Sequence, residues 1–428
     1  MTQFSLHFLK RSVLVLSVLL ALPSLHASTV SNWQDGTSNA GTFTWETSGN
    51  WDNGIPTSST FQSVITHATG NLTITTAAAY TITSPNFIVN SGSLTFKLGG
   101  DFTGATTPVI TNATNDSSKL VFDLNGNTLG LKGYGGGAGY FTIASTAGGG
   151  GGTAQFNQIL NTTHGSVQNN TTLQLTGAGS QSFTGFTFSA GSTLWVSQVG
   201  NTFISGFPTL GIGNLTIGSS TNSTLSYFTN SNSTTYRVTG NVTLNKGTTA
   251  NQDSYITFGA ADTKIYVGGN FTDVGGSGAS TVTDYATTGG GSGLLAFNGG
   301  AGSQKSVSIG RTGLTNNFQV GESATIFGNI GLAKSLTTTG TFKMFRGSRL
   351  NVAALTLTAG SLNLADDAGG NHLTIADTFG TTNGLITTSG NLSLNTFNLE
   401  LNFDGTSWTN GSNLLLFHYG GTFTGTLA

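Results

Sequence analysis

The sequence predicts an all-β chain, a right-handed parallel β-helix (β-solenoid) wound in coils of about 29 residues. Three observations predict it: charge is nearly absent, short segments alternate apolar with polar residues, and a Gly-Asn phrase returns at related spacings. Charged residues are 7 % of the chain, the net charge is −2, and Gly occurs 64 times. An ordinary soluble domain carries roughly 25 % charge and about half as much Gly. Disorder is disfavoured, because it needs low hydrophobicity with high net charge and hydrophobic residues reach 36 % here. Gly, Thr, Ser and Asn are weak helix formers, whereas Thr, Phe, Val and Ile suit strands.

Alternation runs from about residue 70 onward, in Leu72-Thr73-Ile74, Leu94-Thr95-Phe96-Lys97-Leu98, Leu120-Val121-Phe122-Asp123-Leu124, Leu355-Thr356-Leu357 and Leu362-Asn363-Leu364. This is the period of a strand with one buried face. Asn125-Gly126, Asn298-Gly299, Asn383-Gly384 and many single glycines supply tight turns between them. The phrase Gly-Asn-apolar begins at Gly213, Gly240, Gly269, Gly328 and Gly390. The last two intervals are close to twice the first two, and the whole span divides into six units of about 29.5, a size that belongs to solenoid repeats. An earlier copy, Gly70-Asn71-Leu72, precedes Gly213 by five units of about 28.6. Stacking explains the composition, since like charges repeated at about 4.8 Å repel while Asn and Thr ladders hydrogen-bond. Proline, five in all, cannot donate to a ladder. Tandem β-sandwiches are the alternative, with more Pro, more charge and longer units expected.

At the amino end, Lys10-Arg11, an apolar run (12–22) and the small-residue exit Ser24-Leu25-His26-Ala27 read as a secretory signal, with a mature chain beginning near Ser28. A membrane span needs roughly 20 apolar residues, and no later stretch supplies them. The domain reading is therefore signal peptide 1–27, Trp-containing cap segment 28–66 and solenoid 67–428. Zero cysteines rule out a disulfide framework, so repetitive burial must stabilise the fold. Nucleic acid is not an expected partner, because it requires clustered Lys and Arg. Lys343, Arg346 and Arg349 are read as a solvated turn on one coil, and the glycine runs 133–139 and 148–152 as flexible loops.

Trp45, Gly49-Asn50-Trp51-Asp52 and Gly54-Ile55-Pro56 resemble the opening of bacterial autotransporter-type β-strand-repeat proteins and of surface proteins with a PEP-CTERM sorting tail. In those families a Trp-rich phrase precedes a Gly/Thr/Asn-rich β-helical passenger. The likeness directly covers only the short stretch around this phrase and is otherwise compositional and periodic. It implies a bacterial cell-surface protein. Physically, large aromatics beside a Pro-ended turn would close the first coil and protect its open edge. The sequence 403–417 also resembles these families, and without a barrel or sorting tail after it the solenoid is expected to be truncated at its carboxy terminus.

β-Helices also host polysaccharide lyases and hydrolases, and glycosidic hydrolysis needs two carboxyls across one groove. The nearest match, Asp366-Asp367 with His372, fails on spacing: His372 follows too closely to lie one coil above the pair, and no Arg-x-Lys follows. The four mature histidines, His67, His164, His372 and His418, have no metal-ligand spacing. No catalytic, cofactor-binding or metal-ligating residue is assigned, and no cofactor. Sequons such as Asn161, Asn214, Asn241 and Asn391 carry little information in so Asn-rich a chain. The expected function is an exported structural or adhesive cell-surface rod, extracellular or on the outer surface, whose partners are extracellular polysaccharide or a neighbouring cell surface. The alternatives are a β-helical polysaccharide lyase or hydrolase, and a non-catalytic carbohydrate-binding protein.

Overall fold

The computed structural model describes residues 28–218 apart from 35–39, 132–138, 147–149, 160–162, 178, 198–199, 207 and 209–210; beyond 218 it describes mainly strand segments, to residue 427. It is a parallel β-solenoid with three strands per coil. Thr29–Asn32, Phe61–His67, Ser84–Val89 and Ile110–Asn112 stack in parallel on one face, which we call the third. Gly41–Thr44, Asn71–Thr75, Ser93–Lys97, Leu120–Asp123, Tyr140–Ala144, His164–Val167 and Gly185–Phe188 form the first face. The second face runs unbroken through fourteen strands, from Tyr80–Ile82 to Phe417–Tyr419. Farther along, strand Leu392–Leu401 turns a corner, pairing with Leu355–Leu357 by one end and with Gly360–Ala365 by the other. Parallel pairing throughout these ladders separates the molecule from β-sandwiches, which pair antiparallel. Among the described residues no helix is long and apolar enough to cross a membrane.

Each row of the ladder shows why the sequence alternates. Phe43, Ile74, Phe96, Phe122, Ile143, Val167 and Phe188 lie one above another on the inner side of the first face. Between them in sequence, Thr73, Thr95, Val121, Thr142, Ser166 and Thr187 form the outer row. On the second face Phe102, Leu129, Ala154, Leu173, Leu194, Leu215 and Val242 line the core, each fully buried or nearly so. Size is matched between coils as well. Gly165 stands between Phe141 and Phe186, whose rings meet edge to face at 5.8 Å. A Cβ at Gly165 would fall 2.6 Å from the Phe141 carbonyl and 2.9 Å from the Phe186 ring.

The repeat is real but not uniform. Along the second face, thirteen register steps lead from Tyr80 to Tyr419. The mean coil is therefore roughly 26 residues, inside the size range of solenoid units. Single coils vary nearly twofold in length, from the short step between Ala154 and Leu173 to the long one between Phe271 and Val307. The copies at Asn214, Asn241 and Asn270 stack in successive coils, because Leu215, Val242 and Phe271 are register partners. The copy at Asn329 lies two coils on but out of register, since Phe271 leads through Val307 to Leu332 rather than Ile330. Asn71 belongs to the first face and Leu392 to a strand joining the third and first, so those two spacings do not measure the coil. Differences of this size between coils are why a fixed period fails.

Two further expectations change. Lys343 lies in strand Phe342–Phe345 and Arg349 in strand Arg349–Val352, so these two are ladder positions rather than turn residues; Arg346 lies outside the described residues. In the second glycine run Gly150 is exposed, but Gly151 and Gly152 form a packed corner. The Gly151 carbonyl accepts from the Gly126 N–H at 2.7 Å, and a Cβ on Gly151 would lie 2.0 Å from the Asn170 carbonyl.

Inner and outer rows should respond very differently to truncation. Phe122→Ala, at a fully buried position of the inner row, is expected to cost about 3–5 kcal/mol. Thr187→Ala, at the exposed end of the outer row, should stay within about 0.5 kcal/mol. Denaturant midpoints of the two variants check this, and equal shifts would contradict the row assignment.

Candidate functional site

Where a solenoid chain turns from one face to the next, backbone N–H groups leave the regular ladder, and a buried N–H without a partner is costly. Here side-chain oxygens from the adjoining coil supply partners. The Asp101 carboxylate accepts from Thr128 N at 2.8 Å, and Asp123 from Thr146 N at 3.0 Å and Thr146 Oγ1 at 2.5 Å. Glu46 accepts from Ala77 N at 2.7 Å and from the Tyr80 hydroxyl at 2.8 Å. Asn86 Oδ1 accepts from Val109 N, and Thr76 Oγ1 from Gly99 N.

The Gly-Asn phrase is one such corner repeated. Asn214 Oδ1 accepts from Asn241 N at 2.9 Å, and Asn241 Oδ1 from Asn270 N at 2.8 Å. Glycine precedes each Asn because the coils touch there: a Cβ on Gly213 would lie 2.4 Å from the Ser192 carbonyl, and one on Gly269 2.5 Å from both Asn241 Oδ1 and the Gly240 carbonyl. Two of the sequon asparagines, Asn214 and Asn241, are therefore ladder residues. Amides also link coils on the outer side of the second face, where Gln155 Nε2 donates to Gln174 Oε1 at 2.9 Å and Gln174 Nε2 to Ser197 Oγ at 2.7 Å.

The remaining carboxylates with described side chains are used in the same way. Asp116 caps a short 3-10 turn, accepting from Ser118 Oγ and Ser118 N, and these bonds hold its carboxyl below the ordinary value. Asp52 accepts from Asn32 Nδ2 and Asn32 N, both at 2.7 Å; the same bonds hold its carboxyl low. Thus the five carboxylates with described side chains, Glu46, Asp52, Asp101, Asp116 and Asp123, accept backbone N–H groups at separate places, Asp52 at a strand edge and the others at turns and corners. Lys97 Nζ approaches Asp123 at 3.9 Å.

The histidines of the described strands lie on three different faces. His67 is buried on the third face with Nε2 3.0 Å from the Gly70 carbonyl oxygen. His164, on the first face, stacks flat on Tyr140 at 4.6 Å, and His418 lies in a second-face strand. No group of three or more His, Asp or Glu capable of holding a metal occurs among the described residues. Asp366, Asp367 and His372 lie outside the described residues. Sequence reasoning missed the inward polar residues Ser63, His67 and Asn112, which only the alternation parity of their strands signalled, and the burial of Asp123, whose parity places it on the outer side with Lys97.

At the amino end Trp33, Trp45 and Trp51 pack edge to face, with centroids 5.1 Å apart for Trp33–Trp51 and 4.6 Å for Trp45–Trp51. Trp45 also meets Phe102 at 5.2 Å and donates its indole N–H to the Pro56 carbonyl. Trp51 donates to the Trp45 carbonyl at 2.8 Å. The Trp-rich phrase thus seals the apolar interior at its first coil.

Fold and corners together define a three-sided parallel β-solenoid whose polar groups join coil to coil. The chain matches no family model, no curated protein and no solved structure.

Tyr80 gives this end a pH signature. Burial first, and then its hydrogen bond to Glu46, push its hydroxyl from the ordinary 10.0 up to about 12. A folded value above the unfolded one means the contribution is full below pH 10 and is lost as pH rises toward 12. Absorbance titration of the tyrosines should show a phenol ionising in that window, and Tyr80→Phe should remove both that step and its share of alkaline destabilisation.

Proposed function

We propose that this chain is an exported structural or adhesive rod of a bacterial cell surface, without a catalytic site. The observation that carries the reading is the use made of the acids with described side chains: five dispersed carboxylates each accept a main-chain N–H, four of them from another turn or coil and Asp116 from its own turn. Acid–base chemistry on a substrate requires carboxyls converging on one groove, and these are dispersed. The outer rows of Thr, Ser, Asn and Gln present a neutral, hydroxyl- and amide-rich surface, which suits contact with polysaccharide or a neighbouring cell surface. Export is supported by the basic, apolar and small-residue succession in residues 10–27.

Binding of the full chain to a glycan array and to cells, beside depolymerisation assays on pectin and alginate, tests this function. Adhesion or glycan binding without turnover is expected. Turnover abolished by Asp366→Ala would overturn the reading. For export, amino-terminal sequencing of the secreted protein should begin near Ser28, and retention of residues 1–27 in the mature protein would contradict it.

A further inference from the structure

An asparagine side chain can be attacked at Cγ by the main-chain nitrogen of the next residue, which closes a cyclic imide and expels ammonia. Glycine in second place makes this easiest, because it has no Cβ to crowd the nucleophile and its backbone turns freely. Two Asn-Gly pairs lie wholly among the described residues, Asn53-Gly54 and Asn125-Gly126.

The fold holds these two pairs in opposite ways. In Asn125-Gly126 the attacking group is committed, since Gly126 N donates to the Gly151 carbonyl at 2.7 Å. Asn125, half-buried, also donates Nδ2 to the Leu98 carbonyl at 3.0 Å. Asn53 and Gly54, in contrast, are both exposed. Gly54, at φ +86°, has nothing within 4 Å of the place a Cβ would occupy, and its N–H has no hydrogen-bond partner among the described residues. The Asn53 side chain is held by Nδ2, which donates to the Val30 carbonyl at 2.9 Å.

We infer that Asn53-Gly54 is a deamidation site and that its conversion releases the start of the first strand, Thr29–Asn32. Gly54 N bonds to Asn53 Cγ, the Cγ–Nδ2 bond breaks, and the Gly54 amide proton leaves with Nδ2 as ammonia. Water then opens the imide at either carbonyl, giving aspartate or, with the main chain rerouted through Cγ, isoaspartate. Neither product has an N–H at this place to give the Val30 carbonyl, and each leaves a carboxylate there instead. The bond is lost and the oxygens repel. Isoaspartate also lengthens the main chain just before Gly54, whose carbonyl accepts Ser31 Oγ at 2.7 Å. Asp52 still holds Asn32 N, and the Asn50 carbonyl still holds Gln34 N, both at 2.7 Å. Loosening is therefore confined to residues 29–31.

The test ages the full chain at neutral and at mildly alkaline pH and locates deamidation by mass spectrometry of proteolytic peptides. Attack needs the nitrogen to give up its proton, so conversion should be faster at the alkaline pH. Asn53 should convert roughly tenfold faster than Asn125, a ratio that giving up the Gly126 hydrogen bond and opening its corner is enough to produce. Hydrogen exchange of residues 29–31 should rise with the converted fraction while that of Ser84–Val89 stays unchanged. Asn53→Asp should show the raised exchange from the outset. Asn53→Gln, which keeps an amide but cannot close the five-membered ring, should not change on ageing. The inference fails if Asn53 stays intact at alkaline pH, if Asn125 converts as fast, or if exchange at 29–31 does not follow conversion. Near-ultraviolet circular dichroism of the tryptophans should be unchanged by conversion; its loss would mean that the whole cap melts and would overturn the local release. Should Asn53→Asp not fold, the aged unaltered chain carries the same comparison.

Discussion

The axial hydrogen-bond ladder is the constraint on which everything else depends. Each strand pairs with its counterparts in the coils before and after, so every side chain lies about 4.8 Å from the residue in the same row. A residue is admissible only if it tolerates that neighbour. Phe tolerates Phe, as the register partners Phe96 and Phe122 illustrate, and Phe87 meets both across the core at 5.1 Å. Asn and Gln tolerate each other by hydrogen bonding, as in the ladders from Asn214 and Gln155. Charge does not, and where Lys97 and Asp123 occupy one row they stand as opposite signs in adjacent coils.

Corners are the second demand, and they explain how the chain employs its few acids. A carboxylate is a strong acceptor for an N–H that the ladder cannot reach. Asp101, Asp123 and Glu46 serve three corners, while Asn86 and Asn214 do the same with neutral amides. A residue committed in this way is a poor candidate for chemistry on a substrate, which links the architecture to the proposed role of an inert, neutral rod. The same economy applies to glycine: at Gly213 and Gly269 the neighbouring coil occupies the volume a Cβ would need.

A solenoid also has to manage its ends, because stacking gives the first and last coils an interior and an edge with nothing beyond them. At the amino end the two problems have separate answers from one short phrase. Trp45 and Trp51 cover the interior, and Asp52 and Asn53 occupy the strand edge. That division of labour accounts for the mixture of large aromatic and short polar residues in Trp51-Asp52-Asn53-Gly54.

Alternation of apolar and polar residues, the scarcity of charge and the frequency of turn residues determined the solenoid class and the inner rows, because these follow from a two-residue period that any strand must obey. The Trp phrase likewise marked the closing of the first coil. Tertiary structure alone decided the register. Coils that vary nearly twofold in length cannot be phased by a fixed spacing, so Asn71 and Asn391 looked like further copies of the Asn214 phrase, although Asn71 and the strand after Asn391 lie on other faces. It also decided which acids are bound at corners and that Asp123 is buried, since at Glu46, Asp101 and Asp123 the partner N–H lies a whole coil away in sequence and no local pattern announces it.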